Sequence, residues 1–486
     1  MMLPSSSAQA RLPSGLEVAA LTVALIATIY VFLNLLALPI QLALFTAWFI
    51  AIALGLRLGH SYAALQRGLI DGIHSGMEAV LVLIAVGALI GSWILGGIVP
   101  SIIYYGLSLM SPQLFLPAAF LICAVTSLAT GTSFGTAGTA GIAMIGIGHS
   151  FGMPLPLVAG AVISGAYVGD KLSPLSDTTV MTASLCKVDL VEHIKSMLWV
   201  SAPAAAGAAL LFLAAGLFYT AGDADTARAD EVMAALQKQF NIGWPMLLPL
   251  AAVIGLLLKR YPSIPVISFG AALGAVWAVL FQQEPPLDAI NSTYYGSALH
   301  SETEFLDTLL NRGGIESMLG VIVLILFALG LGGLMKQIGL LEVICRRFLH
   351  WADSPGRLTL STLLGGFFGN FFGGAAYVSL ITASTLTEQN YLRQGIDRRV
   401  LSRNTEAGGT ITTPMVPWSD GGVFMATTLG VGTLHYLPFL WYHLLVLALS
   451  ALYGYTGIAI WRGGADEAKP VTPRTAPLYG RDIRPN

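Results

Sequence analysis

Apolar runs near twenty residues recur along the chain, separated by short polar stretches. Eight read as uninterrupted membrane helices, at roughly 16–38, 40–58, 77–99, 196–220, 243–259, 263–281, 315–335 and 436–461. Four other apolar stretches are patterned differently. Residues 112–150 and 357–387 are rich in Gly, Ser and Thr, and each predicts a helical hairpin. Residues 154–185 and 401–432 are too long for one rod and carry proline and charge inside them. Each predicts a single broken span, because an internal proline removes an N–H and clashes with the carbonyl one turn earlier. The fold this predicts is an all-α polytopic membrane protein, an inverted-repeat secondary transporter with two helical hairpins and two broken transmembrane helices.

The repeat is read from two matches in the same order. "GTSFGTAG" (131–138) resembles "GNFFGGAA" (369–376), pairing Gly131 with Gly369 and Gly135 with Gly373. "LSPLSD" (172–177) resembles "MVPWSD" (415–420), pairing Pro174 with Pro417, Ser176 with Ser419 and Asp177 with Asp420. With the N-terminus inside, the segments between spans divide into inner ones holding 19 Lys/Arg and outer ones holding 3. This layout predicts a cytoplasmic N-terminal segment (1–15), two spans and an inner loop (16–76), and a first transport repeat (77–220). Acidic outer loops with two connecting spans (221–314), a second, inverted repeat (315–461) and a cytoplasmic tail (462–486) follow. Both termini are then cytoplasmic, in a plasma (inner) membrane protein surrounded by lipid. Opposed repeats with discontinuous helices in matching positions put the binding site at the breaks.

Composition agrees with the pattern. The 486 residues are 55% hydrophobic and 10% charged, against about 25% charged in soluble domains. A net charge of -2 excludes a basic surface for nucleic acid. Cys123, Cys186 and Cys345 form neither a disulfide framework nor a metal-binding spacing. The polar lead "MMLPSSSAQARLPSGLE" enters a span too long for a signal-peptide core, so the first helix is expected to be retained. No P-loop supports ATP-driven transport, and no cofactor is expected beyond Na+ and H+ as transported or coupling ions.

The breaks concentrate oxygen ligands. Around Pro174 stand Ser173, Ser176, Thr178, Thr179, Asp170 and Asp177; around Pro414 and Pro417 stand Thr410, Thr412, Thr413, Ser419 and Asp420, with Glu406 upstream. Oxygen-only ligands suit a hard cation such as Na+. Half-helix N-termini suit an organic carboxylate. A carboxylate buried in the membrane resists ionisation, a neighbouring cation favours it, and one group can therefore trade a proton for Na+. Asp177 is the first candidate for the shared Na+/H+ ligand, with Asp170 and Asp420 next. The bland alternative for Asp177 and Asp420 is helix capping. Lys171 is expected to neutralise Asp170 or to snorkel, Arg403 to anchor a span at the inner surface, and Glu78 and Asp71 to be solvated. "GTSFG" also fits the G-x-S-x-G nucleophile pattern with Ser133, the basis of a remote intramembrane-hydrolase reading. Its counterpart "GNFFG" keeps the glycines and lacks the serine, which favours hairpin geometry over catalysis.

"GTSFGTAGTAGIAMIGIG", "GAVISGAYVGDKLSPLSDTT" and "LSRNTEAGGTITTPMVPWSDGGVFMATTLGV" resemble the NhaC family of sodium/proton antiporters over roughly 77–461, with "GDKLSPLSDTT" the most specific motif. The resemblance implies a secondary Na+/H+ antiporter, not an enzyme, with paired hairpins, inverted repeats and often a homodimeric, elevator-type arrangement. Relatives in that family also exchange malate for lactate or carry an amino acid, so a Na+- or H+-coupled carrier of a small organic acid or amino acid is the alternative. The chain departs from the family pattern at Val180, Ala407 and Ser419–Asp420, where the family commonly has Asn, an acidic residue and Asn. One carboxylate is lost and another gained, a change that bears on ion stoichiometry and substrate more than on fold.

Overall fold

A computed structural model describes residues 10–220, 226–259, 261–297 and 313–463. The tail from 464, residues 1–9 of the N-terminal segment, and the outer acids Asp223, Asp225, Glu302, Glu304 and Asp307 lie outside the described residues. Among the described residues the chain is helical throughout, with one isolated bridge between Ile396 and Arg462. Among the described residues, seven helices are long and apolar enough to cross a membrane, or nine if two bent pairs each count as one span. The predicted spans 40–58, 77–99, 263–281 and 315–335 are Ile40–Arg57, Met77–Leu95, Ser263–Phe281 and Ile315–Gln337.

Other boundaries differ for local reasons. The predicted span 196–220 extends back to Leu190, giving Leu190–Thr220. The predicted 436–461 is bent by 60° between Thr433–Phe439 and Trp441–Thr456, where Pro438 lies. Several stretches read as loops are helices: Tyr62–Ser75, Ile98–Leu109, Thr226–Gln239, Pro286–Tyr295 and Leu340–Trp351. None has the length of a span, but a helix needs only an apolar face to pack. Tyr62–Ser75 packs through Gly68 and Gly72, which stand one turn apart on one face. A Cβ on Gly333 of Ile315–Gln337 would lie 2.0 Å from Gly68 O, so the two backbones are nearly in contact.

The first predicted hairpin comprises Pro112–Thr130, a turn at Gly131–Thr132, and a second leg from Ser133 to Ser150 with a wide turn at Ala137–Gly141. Its first leg packs chiefly on the first broken span. There Gly165 and Gly169 bring Leu155–Leu172 against the backbone at Phe120 and Leu128. The second hairpin, Pro355–Gly373 and Ala376–Arg393, packs leg on leg, with Gly369 against Ser379. The broken spans are Leu155–Leu172 followed by Asp177–Leu185, and Arg398–Gly408 followed by a 3-10 segment Thr410–Met415 and then Asp420–Leu429.

The two hairpins turn at positions that the sequence match does not pair. Gly131 ends its leg in the left-handed region (φ +75°), and the residue doing so in the second hairpin is Gly374 (φ +72°), whereas Gly369 lies inside the leg. Asp177 follows Gly131, and Asp420 follows Gly374, by the same 46 positions. In both breaks the serine stands at the N-cap and the aspartate opens the next helix.

Candidate ion-binding site

Each hairpin tip meets a break. A Cβ on Gly131 would collide with Leu175, so only glycine lets the first tip approach the first break. At the second, Asp420 N donates to Gly374 O (2.8 Å) and Ala376 N donates to Asp420 Oδ2 (3.4 Å). The two halves also touch: Phe134 from the first tip stacks on Phe424 from the second break, centroids 4.2 Å apart.

A cavity of about 440 Å3 lies where these parts converge. Asp170, Asp177 and Asp420 all line it, with Ser176, Thr178, Thr413 and Gly131. Asp170 is the most elaborately held. It is buried, Ser133 Oγ donates to its Oδ2 (2.6 Å) and Ser176 Oγ donates to its Oδ1 (2.6 Å). Thr178 Oγ1 lies 3.0 Å behind Ser176 Oγ, extending the hydroxyl chain. Asp420 is buried too and accepts from Gly421 N (2.7 Å) as well as Ala376 N. Asp177 is solvent-accessible within the cavity. Capping of the second break falls to Ser419, whose Oγ accepts from Gly422 N (3.0 Å) and donates to Thr413 O (2.6 Å). Asp420 is thereby left to the tip and the cavity.

Other candidates serve the frame around the cavity. Ser173 Oγ accepts from Leu175 N (3.3 Å) and Thr179 Oγ1 lies 3.1 Å from the carbonyls of both Asp170 and Lys171, tying the halves of the first break together. Thr412 accepts from Asn370 Nδ2 (2.8 Å), and Thr413 Oγ1 reaches Gly409 O (3.1 Å) and Asn370 Oδ1 (3.3 Å). Asn370, on the second hairpin, thus satisfies backbone and hydroxyls freed by the second break. Glu406 lies outside the cavity lining; it is buried and accepts a hydrogen bond from Thr182. Gly135, Gly369 and Gly373 do not line the cavity either.

Glu78 is solvent-accessible, as expected, and also lines the cavity, together with Tyr377 and Asp177. Two expectations are corrected. Lys171 neither reaches an interface nor forms an ion pair with Asp170: it is fully buried and its Nζ has no hydrogen-bond partner. Arg403 is fully buried, 5.5 Å over the Trp461 ring, with Nη1 donating to Ala459 O (3.1 Å). Its chain position beside an inner segment suggested a surface anchor, whereas its helix turns inward. Sequence reasoning missed Tyr167, Tyr377 and Ser133 as cavity residues. The first two left no signal, being aromatics in apolar helices. Ser133 did stand in a repeated glycine motif, read there as a nucleophile pattern. Its hydroxyl is bound to Asp170, and its backbone starts a helix. Trp418 packs edge-on against Phe371 and donates to Phe371 O (2.6 Å).

A helical membrane protein whose two broken spans and two hairpin tips close around buried carboxylates is a secondary transporter by architecture. Among the described residues no three His, Cys, Asp or Glu side chains converge as a transition-metal centre would require. The Na+/H+ antiporter family model matches residues 12–194 and 165–458. The chain belongs to that family. The malate-2H+/Na+-lactate antiporter of Bacillus subtilis (strain 168) is 51% identical over 451 residues, covering 93% of this chain and 96% of that protein. The Na+/H+ antiporter NhaC of Alkalihalophilus pseudofirmus is 34% identical over 412 residues, 85% and 89% of the two chains. The arginine/ornithine antiporter ArcD of Halobacterium salinarum is 33% identical over 420 residues, 86% and 87%.

Proposed function

We propose that the protein exchanges Na+ for H+ by alternating access, with Asp170 as the carboxylate that holds either cation. The observation carrying this reading is the pair of serine hydroxyls on one buried Asp170, in a cavity shared by both breaks. The order of Asp177 and Asp170 therefore reverses: Asp170 is the prepared ligand, and Asp177 and Asp420 take the ion along the cavity. On the 19-to-3 charge layout, both termini are cytoplasmic. The cavity-lining residues Ser75, Gly76 and Tyr261 then belong to inner segments, which supports an inward-open state. The transport repeats are residues 77–220 and 315–461, working as an opposed pair in the plasma membrane.

A second reading has its own support. A volume of about 440 Å3 exceeds what a single ion needs and falls within the range of small-molecule pockets, about 300–1,000 Å3. The 51% identity to a malate/lactate antiporter points the same way. In this reading the cation at Asp170 is coupled to a small hydroxy- or dicarboxylate in the same cavity.

Proteoliposomes with an internal pH dye separate the two. Na+-driven proton flux without organic solute supports cation exchange; flux appearing only with malate or lactate supports the coupled carrier; absence of both removes the proposal. Within either, Ser176→Ala is expected to raise the half-saturating Na+ concentration by roughly tenfold or more, since a hydrogen bond to a charged group contributes about 1.5–3 kcal/mol. Unchanged Na+ dependence would remove Ser176 from the site. Asp420→Asn is expected to lower maximal flux several-fold while the protein stays folded, because Asn Oδ1 still accepts from Gly421 N and only the longer bond from Ala376 N is lost. Flux equal to wild type would reduce Asp420 to a tip-binding role.

A further inference from the structure

The register set by the two tip glycines pairs positions on the cavity wall. Tyr167 and Asp170 follow Gly131 by 36 and 39 positions, and Thr410 and Thr413 follow Gly374 by the same 36 and 39. All four line the cavity. The first break thus presents a phenol and a carboxylate where the second presents two neutral hydroxyls. The exchange reading uses Asp170 and gives Thr410 no role.

The hydroxyls of the second break are not equivalent. Thr412 Oγ1 donates to Gly408 O (2.5 Å) and Thr413 Oγ1 to Gly409 O (3.1 Å), each turning back onto the carbonyl four residues before it. Ser419 Oγ donates to Thr413 O (2.6 Å). Thr410 is 2% exposed, and among the described residues its Oγ1 has no hydrogen-bond partner. Buried polar groups are almost always paired, so a buried hydroxyl left open on a cavity wall calls for a ligand atom.

The surroundings narrow what that atom is. Among the described residues no Lys, Arg or His lines the cavity, and the same break contributes Asp420 to it. A solute carboxylate placed beside Thr410 would meet like charge with no basic side chain to offset it. A solute hydroxyl carries no charge, and it both donates and accepts, as the threonine hydroxyl does. We propose that Thr410 binds the hydroxyl group of a small hydroxy acid and makes the cavity select hydroxy acids over acids lacking that group. A site built to hydrogen-bond a substrate hydroxyl rejects the analogue without it, because its own buried group is then left unpaired. The inference rests on the reading that a small organic acid shares the cavity with the cation.

The test uses proteoliposomes and two pairs of labelled probes, L-lactate against propionate and L-malate against succinate. The members of each pair differ by one hydroxyl. Uptake under a Na+ gradient gives kcat/KM for each solute and the half-saturating Na+ concentration. In at least one pair the wild type is expected to prefer the hydroxy acid by about tenfold or more. Thr410→Val keeps the shape and removes the hydroxyl. It is expected to abolish that preference by raising KM for the hydroxy acid, with the other acid and the Na+ dependence unchanged. Thr410→Ser should restore the preference. Without solute, Thr410→Val should melt at the wild-type temperature or above, since an unpartnered hydroxyl adds nothing to the fold. Thr428→Val removes another buried, unpartnered hydroxyl of the same broken span, one that does not line the cavity, and should alter none of these readings. A preference that survives Thr410→Val, or an equal loss for both members of a pair, overturns the assignment. So does a Thr410→Val protein that is destabilised or fails to fold, because its hydroxyl would then have a structural partner. Wild-type transport of both members without preference sinks the role of Thr410 alone. Transport of none of the four probes removes the organic-acid reading and the role of Thr410 with it.

Discussion

Asp170→Asn is expected to abolish Na+-driven proton flux while leaving a folded protein. The substitution keeps the shape of the side chain. The amide oxygen still accepts from one of Ser133 and Ser176, and the other serine turns to accept from the amide nitrogen. The frame therefore survives. What disappears is the negative charge, and with it both partners of the exchange: a neutral amide binds no proton at working pH and is a poor ligand for Na+. The expected loss is at least about 100-fold in Na+ affinity, equivalent to about 2.7 kcal/mol. The measurement is dye-monitored flux against Na+ concentration, with size-exclusion profiles to establish folding. Asp353→Asn, at an exposed acid paired with Arg357, is the control and should leave flux unchanged. Substantial exchange by the Asp170→Asn protein would transfer the role to Asp177 or Asp420, whose own variants would then be the ones to fall silent.

Nothing in the sequence alone ranks Asp170 above Asp177. Asp177 and Asp170 stand in one motif, seven residues apart, and composition treats them alike. They part in three dimensions because Asp170 lies in the last turn of Leu155–Leu172, facing the first hairpin tip, whereas Asp177 opens the next half-helix at the cavity. Which carboxylate is buried was thus a question about where Ser133 would come, and Ser133 is 37 positions away. The breaks themselves were legible, since proline and charge inside apolar runs leave few alternatives. So were most spans, whose length is set by the bilayer. The short helices between spans were not, because no bilayer constrains them and their stability comes from packing. The tip of the second hairpin was not legible either, for a similar reason. Gly369 and Gly374 look alike in a sequence, and only the backbone reveals that Gly374 makes the turn while Gly369 admits Ser379. Glu406 and Lys171 were visible as charges in the motifs, but their separation from the cavity depends on the crossing of three helices.

Glycines at such crossings carry the second large expected effect, at Gly169. Its helix runs against Pro112–Thr130 so closely that an added Cβ would lie 2.0 Å from Leu128 N and 2.4 Å from Ser127 C. Backbone atoms cannot rotate away as a side chain could, so Gly169→Ala must push the two helices apart. Overpacking in a well-filled interior costs about 1–3 kcal/mol, and a backbone obstacle belongs at the upper end or above it. The shift also has a direction. Ser127 Oγ donates to Ala166 O (2.5 Å) across the same contact, and Asp170 is the next residue, so the displacement breaks that bond and moves the carboxylate relative to Ser133 on the first tip. Gly169→Ala should therefore lower the melting temperature in detergent by several degrees and reduce Na+ affinity even in the fraction that remains folded. Gly320→Ala, where nothing lies within 4 Å of the added Cβ, should change neither. A Gly169→Ala protein with wild-type melting and wild-type Na+ dependence would mean that the first hairpin and the first broken span do not meet as described, and the serine clamp on Asp170 would fall with that contact.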